Sequence, residues 1–262
     1  LEGKSLPDLR PAQTDIKRML SFTLTSHIGY LIFGVAIGTP LAIAATIYYV
    51  GHHIIVQTTL FLAVGLIERQ GGSTSLTSLG GLMRASPVIA VLFFIPMLNL
   101  GGIPPFSGFI GKLGLFEAGA ELATTGTYWL IGVGALVSLL TLYALARVWS
   151  LAFWRTRAAA LGDVSATPPS TTEALVLRDR EDALLERLHD APDAIPRQEQ
   201  RQIPGLMVGA TAGMVAVSVV LTLFAGPLYA YSERAGEMLT EPAQIVKLVL
   251  EPDEDSRLGG GS

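Results

Sequence analysis

Residues 19–67 contain no Asp, Glu, Lys or Arg, and a soluble fold could not hide an uncharged run of that length. The hydrocarbon core of a bilayer is ~30 Å thick, so a crossing helix needs about 20 mainly apolar residues. Five stretches qualify: 19–37, 41–67, 88–118, 127–153 and 205–231, with Pro40 marking a tight turn between the first two. Composition agrees, because 50% of the chain is hydrophobic and 15% charged, and the mean hydropathy is +0.49. The charges are segregated: residues 161–203 alone hold nine carboxylates and five arginines, as expected of wet connections between spans. The fold class is therefore an all-α integral membrane protein with about five transmembrane helices. Its expected divisions are a cytoplasmic N-terminal segment (1–18), a four-helix membrane domain (19–157), a cytoplasmic linker (158–203), a last transmembrane helix (204–231) and a polar tail (232–262).

The third stretch is too long for one straight helix, measuring roughly 45 Å at the α-helical rise. Inside it, Asn99-Leu100-Gly101-Gly102-Ile103-Pro104-Pro105-Phe106-Ser107-Gly108 combines two prolines, which remove backbone donors, with glycines that weaken a helix. A break over 101–108 is expected, at Gly101, Gly102, Pro104, Pro105 and Gly108. Irregular backbone at membrane depth needs protein or a watery cavity to satisfy it, and so points to a transport path. Two short helices joined by a surface loop would meet the composition equally well. The distribution of Lys and Arg separates the two. Lys4, Arg10, Lys17 and Arg18 precede the first span, Arg69 and Arg84 follow the second, and Arg147, Arg155 and Arg157 end the fourth. These positive clusters fall on one side only if the third stretch crosses once, as a discontinuous helix.

Lys112 is the one lysine or arginine well inside the spans, and an ammonium in hydrocarbon costs at least ~3 kcal/mol. It demands a partner or water, unless it snorkels to the interface near Glu117. The second span carries Tyr49, His53 and Gln57 at successive i, i+4 steps, with Thr46 and His52 alongside; the first offers Thr23, His27 and Tyr30. Each set shares a helical face. His53 could pass a proton along such a seam, or these groups could serve only as hydrogen bonds that pin helices together.

The linker holds a capping-box pair, Ser170 and Glu173, ahead of Leu177, Leu184, Leu185 and Leu188, which predicts a cytoplasmic amphipathic helix over 171–189. Other functions find no support. A net charge of −4 without basic runs excludes a nucleic-acid surface. The chain has no cysteine, and its histidines are His27, His52, His53 and His189, so no metal or cofactor site is expected. Nor is there a phosphate loop or nucleophile elbow. A secondary transporter is favoured over an enzyme.

Three blocks carry a family resemblance. Asp15-Ile16-Lys17-Arg18-Met19-Leu20-Ser21 with Ser26-His27-Ile28-Gly29-Tyr30, then His52-His53-Ile54-Ile55-Val56-Gln57, then Gly102-Ile103-Pro104-Pro105-Phe106-Ser107-Gly108-Phe109-Ile110-Gly111-Lys112 resemble the antiporter-like subunits shared by respiratory complex I and the multisubunit Na⁺/H⁺ (Mrp-type) antiporters. The third block and the His52-His53 doublet are most similar to the D-type subunit of the Mrp-type antiporters. The resemblance implies a fold of about fourteen helices, of which these would be the last five, in a bacterial plasma membrane. It implies a hetero-oligomeric complex with other membrane subunits, exchanging protons for a monovalent cation such as Na⁺. Lys112 and His53 would carry the proton path, supported by Gln57, Tyr49, His27 and Thr23. Where the family usually has a lysine four residues after the histidine, this chain has Gln57. The alternatives are a proton-pumping membrane subunit of NADH:quinone oxidoreductase or a related hydrogenase, and a structural membrane subunit that does not transport.

Overall fold

The computed structural model describes residues 15–156 and 203–240. The expected amphipathic helix over 171–189, most of the linker, residues 1–14 and the end of the polar tail lie outside the described residues.

Helix α1 (Ile16–Ile37) starts where the Asp15 side chain accepts a hydrogen bond from the Arg18 amide, 3.1 Å, and ends at Gly38 in the left-handed conformation. After a two-residue turn, Thr39 caps α2 (Pro40–Gly71), whose first residue is a proline that needs no donor there. Helix α2 has 32 residues, roughly 48 Å at the α-helical rise, and overruns the bilayer core. A short α3 (Leu82–Ala85) leads into α4 (Pro87–Gly101) and α5 (Ser107–Glu121). Helix α6 (Thr125–Trp149) continues through a π-helical turn, Ser150–Trp154. Helices α7 (Gly205–Leu223) and α8 (Ala225–Thr240) are the last of the described elements. Among the described residues, four helices are long and apolar enough to span a membrane: Ile16–Ile37, Pro40–Gly71, Thr125–Trp154 and Gly205–Leu223. The discontinuous α4–α5 pair adds a further crossing.

The break falls where the prolines and glycines require it. Helix α4 ends at Gly101, Gly102 takes φ +76, and the helix resumes at Ser107. Positions along α5 show that α4 and α5 make one crossing. Gly108 lies against the His52 ring, Gly111 against Tyr48 and Tyr49, and Gly119 against Phe33, so α5 climbs towards the start of α2. Helix α4 packs at the other end, where Ile89, Phe93 and Met97 join Leu60, Val64 and Ile67 in the main apolar core. Helix α6 returns antiparallel, pairing Ile131 with Gly119, Phe116 with Gly134 and Leu142 with Gly101.

The charged ends gather at one side, as the discontinuous crossing requires. Lys17 pairs with Glu68 at 2.6 Å, the Ile16 amide donates to the Thr74 carbonyl, and the Arg155 guanidinium donates to the carbonyls of Leu76, Thr77 and Leu79.

The fifth stretch departs from the sequence reading. It is two helices, interrupted at Phe224, and the second runs on to Thr240, beyond the boundary expected at residue 231. Hydropathy alone misses this, because α8 is held by packing: Ser232 is buried, and Gly236 sits directly on the backbone of Pro40 and Ala44. A Cβ at position 236 would fall 2.9 Å from the Ala44 amide nitrogen, whereas Gly226 has open space around it. Gly236→Val should therefore lower stability in detergent by about 1–3 kcal/mol, read as a fall in thermal midpoint. Gly226→Ala should leave the midpoint unchanged.

Candidate functional site

The polar faces of α1 and α2 meet between two apolar clusters. One is the main core around Val56–Ile67 of α2; the other is a small cluster of Tyr30, Ala45, Tyr49 and Leu115. Between them, His27, His52, His53, Tyr49 and Gln57 are all buried. The Tyr49 hydroxyl and His27 Nδ1 are 2.6 Å apart, joining α2 to α1. The His27 ring stacks on His53 with centroids 5.0 Å apart, and Tyr30 packs 5.9 Å from both His27 and Tyr49.

Lys112 is 4% exposed, so it does not snorkel. Its ammonium donates to the Leu100 carbonyl at 3.2 Å, and lies 5.4 Å from the centroid of the Tyr30 ring. The carbonyl belongs to the last turn of α4, which the break leaves without an amide partner further along the helix. The negative end of the α4 dipole and the face of Tyr30 both favour a cation there. The residue that breaks the helix rules and the residue that breaks the charge rule thus satisfy one another.

Sequence-expected residues come together, though with different partners. His53 makes no direct hydrogen bond to Tyr49 or Gln57; the Tyr49 hydroxyl engages His27 instead, and His53 Nε2 is buried without a partner among the described residues. Gln57 Nε2 donates to the Leu20 carbonyl at 2.9 Å, the carbonyl that also accepts from Thr23 Oγ1 at 2.8 Å. Glutamine here ties α2 to the α1 backbone. Gly101, Gly102, Pro104, Pro105 and Gly108 all lie at the break or border it.

A second polar chain at the break escaped the sequence reading. Asn99 Oδ1 accepts from the Gly108 amide at 3.0 Å and from the Ser107 hydroxyl at 3.1 Å. His52 Nδ1 lies 2.9 Å from Ser107 Oγ, and the Ser107 amide donates to Thr222 Oγ1 on α7 at 3.2 Å. The signal was Asn99, an amide side chain in an otherwise apolar run, which must find partners in a dry interior. Gly108 has to be glycine, because a Cβ would meet the Asn99 carbonyl and the His52 ring. Among the described residues, no group of His, Asp or Glu is arranged to hold a metal ion.

The sequence profile of the family described as "NADH:quinone oxidoreductase/Mrp antiporter, TM" matches residues 10–141, half of the chain. The chain belongs to this family. It is 31% identical over 91% of its length to the D-type subunit of the Na⁺/H⁺ antiporter of Alkalihalophilus pseudofirmus, covering 41% of that protein. It is 36% identical over 52% of its length to an N-type subunit of the NADH-quinone oxidoreductase of Acidobacterium capsulatum, covering 28%. Among solved structures, a component of the Mrp complex from Dietzia sp. superposes with a TM-score of 0.67 at 29% identity, over 94% of this chain and 47% of that one. The chain therefore spans less than half the length of these relatives. Membership of the family and the four long apolar helices make this a multi-pass membrane protein.

Asn99→Ala would strand the Gly108 amide and leave the Ser107 hydroxyl with His52 as its remaining partner. It should cost about 1–3 kcal/mol, measured as reduced thermal stability in detergent, with faster amide exchange confined to the start of α5.

Proposed function

We propose that the chain is the C-terminal part of a monovalent cation/proton antiporter subunit, and that protons cross it along a path through Lys112 and His53, with Tyr49, His27, Gln57 and Thr23 in support. The observation that carries this reading is the buried Lys112 ammonium held on the open carbonyl end of a broken helix. Burying an ammonium is costly even with these two partners, and ionisable groups kept at membrane depth mark ion and proton pathways. An amine that can lose and regain a proton beside three imidazoles suits proton transfer, because neutral imidazole accepts and imidazolium donates in the same place.

On this reading the complete protein sits in the bacterial inner membrane with other membrane subunits, as the names of the antiporter relatives suggest, and Na⁺ is the cation expected. The charged side of the bundle, with Lys17, Arg69, Arg84 and Arg155, faces the cytoplasm by the positive-inside rule. A second reading, a proton-pumping subunit of an NADH:quinone oxidoreductase, draws on the comparable identity to the N-type relatives. It predicts proton movement coupled to quinone reduction by partner subunits, not to a cation gradient. The Gln57 bond to Leu20 favours a structural role for that one position.

Lys112→Ala in the complete protein should abolish cation-dependent proton exchange in everted vesicles, with subunit levels matched by blot. Normal exchange at matched levels would remove Lys112 from the path. Gln57→Lys should retain exchange, since a lysine can also donate to the Leu20 carbonyl; loss of assembly would instead assign that face to packing alone.

A further inference from the structure

We propose that His52, held as its Nδ1–H tautomer by Ser107, is a second proton-accepting relay residue that works against Lys112 across the broken end of α4. This rests on the proton path proposed above, in which His52 is only one of three nearby imidazoles and His53 carries the path.

The direction of each hydrogen bond follows from the one donor that cannot change. The Gly108 amide must donate, so the Asn99 side-chain atom 3.0 Å away is its oxygen. That oxygen also takes the Ser107 hydroxyl proton at 3.1 Å. A serine hydroxyl has one proton, so towards His52 it can only accept. His52 Nδ1, 2.9 Å away, therefore carries the hydrogen, and Nε2 is left as the basic nitrogen. His52 is fully buried, and Nε2 has no hydrogen-bond partner among the described residues. A purely structural histidine buried this deeply would be expected to use both nitrogens.

His52 and Lys112 both lean on the end of α4. Lys112 donates to the Leu100 carbonyl, and His52 reaches Asn99, the preceding residue, through Ser107. Gly108 sits against His52 Nε2, and Lys112 follows Gly108 by one helical turn. The two nitrogens share no direct hydrogen bond, so a water between them carries the proton: as an N–H bond of the ammonium breaks, the water takes that proton and gives one of its own to His52 Nε2. Lys112 becomes a neutral amine, and His52 becomes an imidazolium whose Nδ1–H bond to Ser107 is unchanged. The positive charge stays beside the same negative helix end, so the transfer moves a proton without stranding a charge. The titratable groups around His52 among the described residues are Tyr48, Tyr49 and His53 on α2, His27 and Tyr30 on α1, Lys112 on α5 and Tyr229 on α8; α4 and α7 present only the neutral Asn99 and Thr222.

The test compares His52→Asn, Ser107→Ala and Lys112→Ala in the full-length protein within its complex, in everted vesicles at matched subunit levels. Asparagine keeps a donor for Ser107 and lacks a basic nitrogen. His52→Asn should lower proton exchange about a hundredfold, the low end of what a positioned proton carrier contributes. Ser107→Ala should displace the pH profile of exchange, because the imidazole is no longer fixed in one tautomer. Nitrogen-15 spectra of histidine-labelled protein should show an Nδ1-protonated imidazole whose signal changes in Ser107→Ala. If His52→Asn exchanges within about twofold of the parent while Lys112→Ala is inactive, His52 only pins the helices and the path through Lys112 stands. If Lys112→Ala itself exchanges normally, both proposals fall. Should His52→Asn not assemble, Ser107→Ala decides: an unmoved pH profile overturns the relay and a displaced one supports it.

Discussion

A helix interrupted in the middle of a membrane leaves carbonyls and amides without helical partners, and each must be answered by protein or by a water-lined cavity. In this bundle the break between α4 and α5 is answered from three directions. The Lys112 ammonium takes the Leu100 carbonyl, the Asn99 side chain takes the Gly108 amide, and Thr222 on α7 takes the Ser107 amide. Lys112, Asn99, Ser107 and His52 are thereby gathered at the break. The cation is stabilised by a defect in the helix, and the defect is stabilised by the cation.

Helix α2 gives that centre its walls. It is long enough to pack against α1, α4, α5, α7 and α8 in turn, and its composition changes along its length. The part from Leu60 to Ile67 is apolar and meets α4, the end of α6 and α7 in the main core. The part around Tyr49, His52 and His53 turns polar groups towards α1 and α5. Close approach there depends on α5 having glycine at position 108, where any side chain would displace the His52 ring. Small residues let helices in lipid pack by direct contact and hydrogen bonding, since lipid offers no hydrophobic drive between them.

The polar centre contains two kinds of hydrogen bond. Some are committed, such as Gln57 and Thr23 sharing the Leu20 carbonyl or the Thr222 hydroxyl donating to the Ser218 carbonyl; they fix helices and have no titrating member. Others involve imidazole, phenol or ammonium, as in Tyr49 with His27 and His52 with Ser107. Only the second kind can change protonation, and Lys112 lies among them. Gln57 belongs to the first kind, and it joins α1 to α2 where the family resemblance leads one to expect a lysine.

Much of this was legible in the sequence for physical reasons. Uncharged runs of sufficient length can only be spans, paired prolines among glycines can only interrupt a helix, and a lone lysine between them must be neutralised. Those constraints are local or concern transfer from water to lipid, so residue order is enough to state them. What the sequence could not decide was partnership. Tyr49 reads as a neighbour of His53 along α2, yet its hydroxyl goes across to His27, because hydrogen bonds follow the distance between helices and not the spacing within one. Helix α8 reads as a polar tail beyond residue 231 because its place depends on the fit of Gly236 to the α2 backbone, which hydropathy does not measure. The tautomer of His52 likewise follows from Asn99 and Ser107, residues brought to it only when the two halves of a broken helix fold against α2.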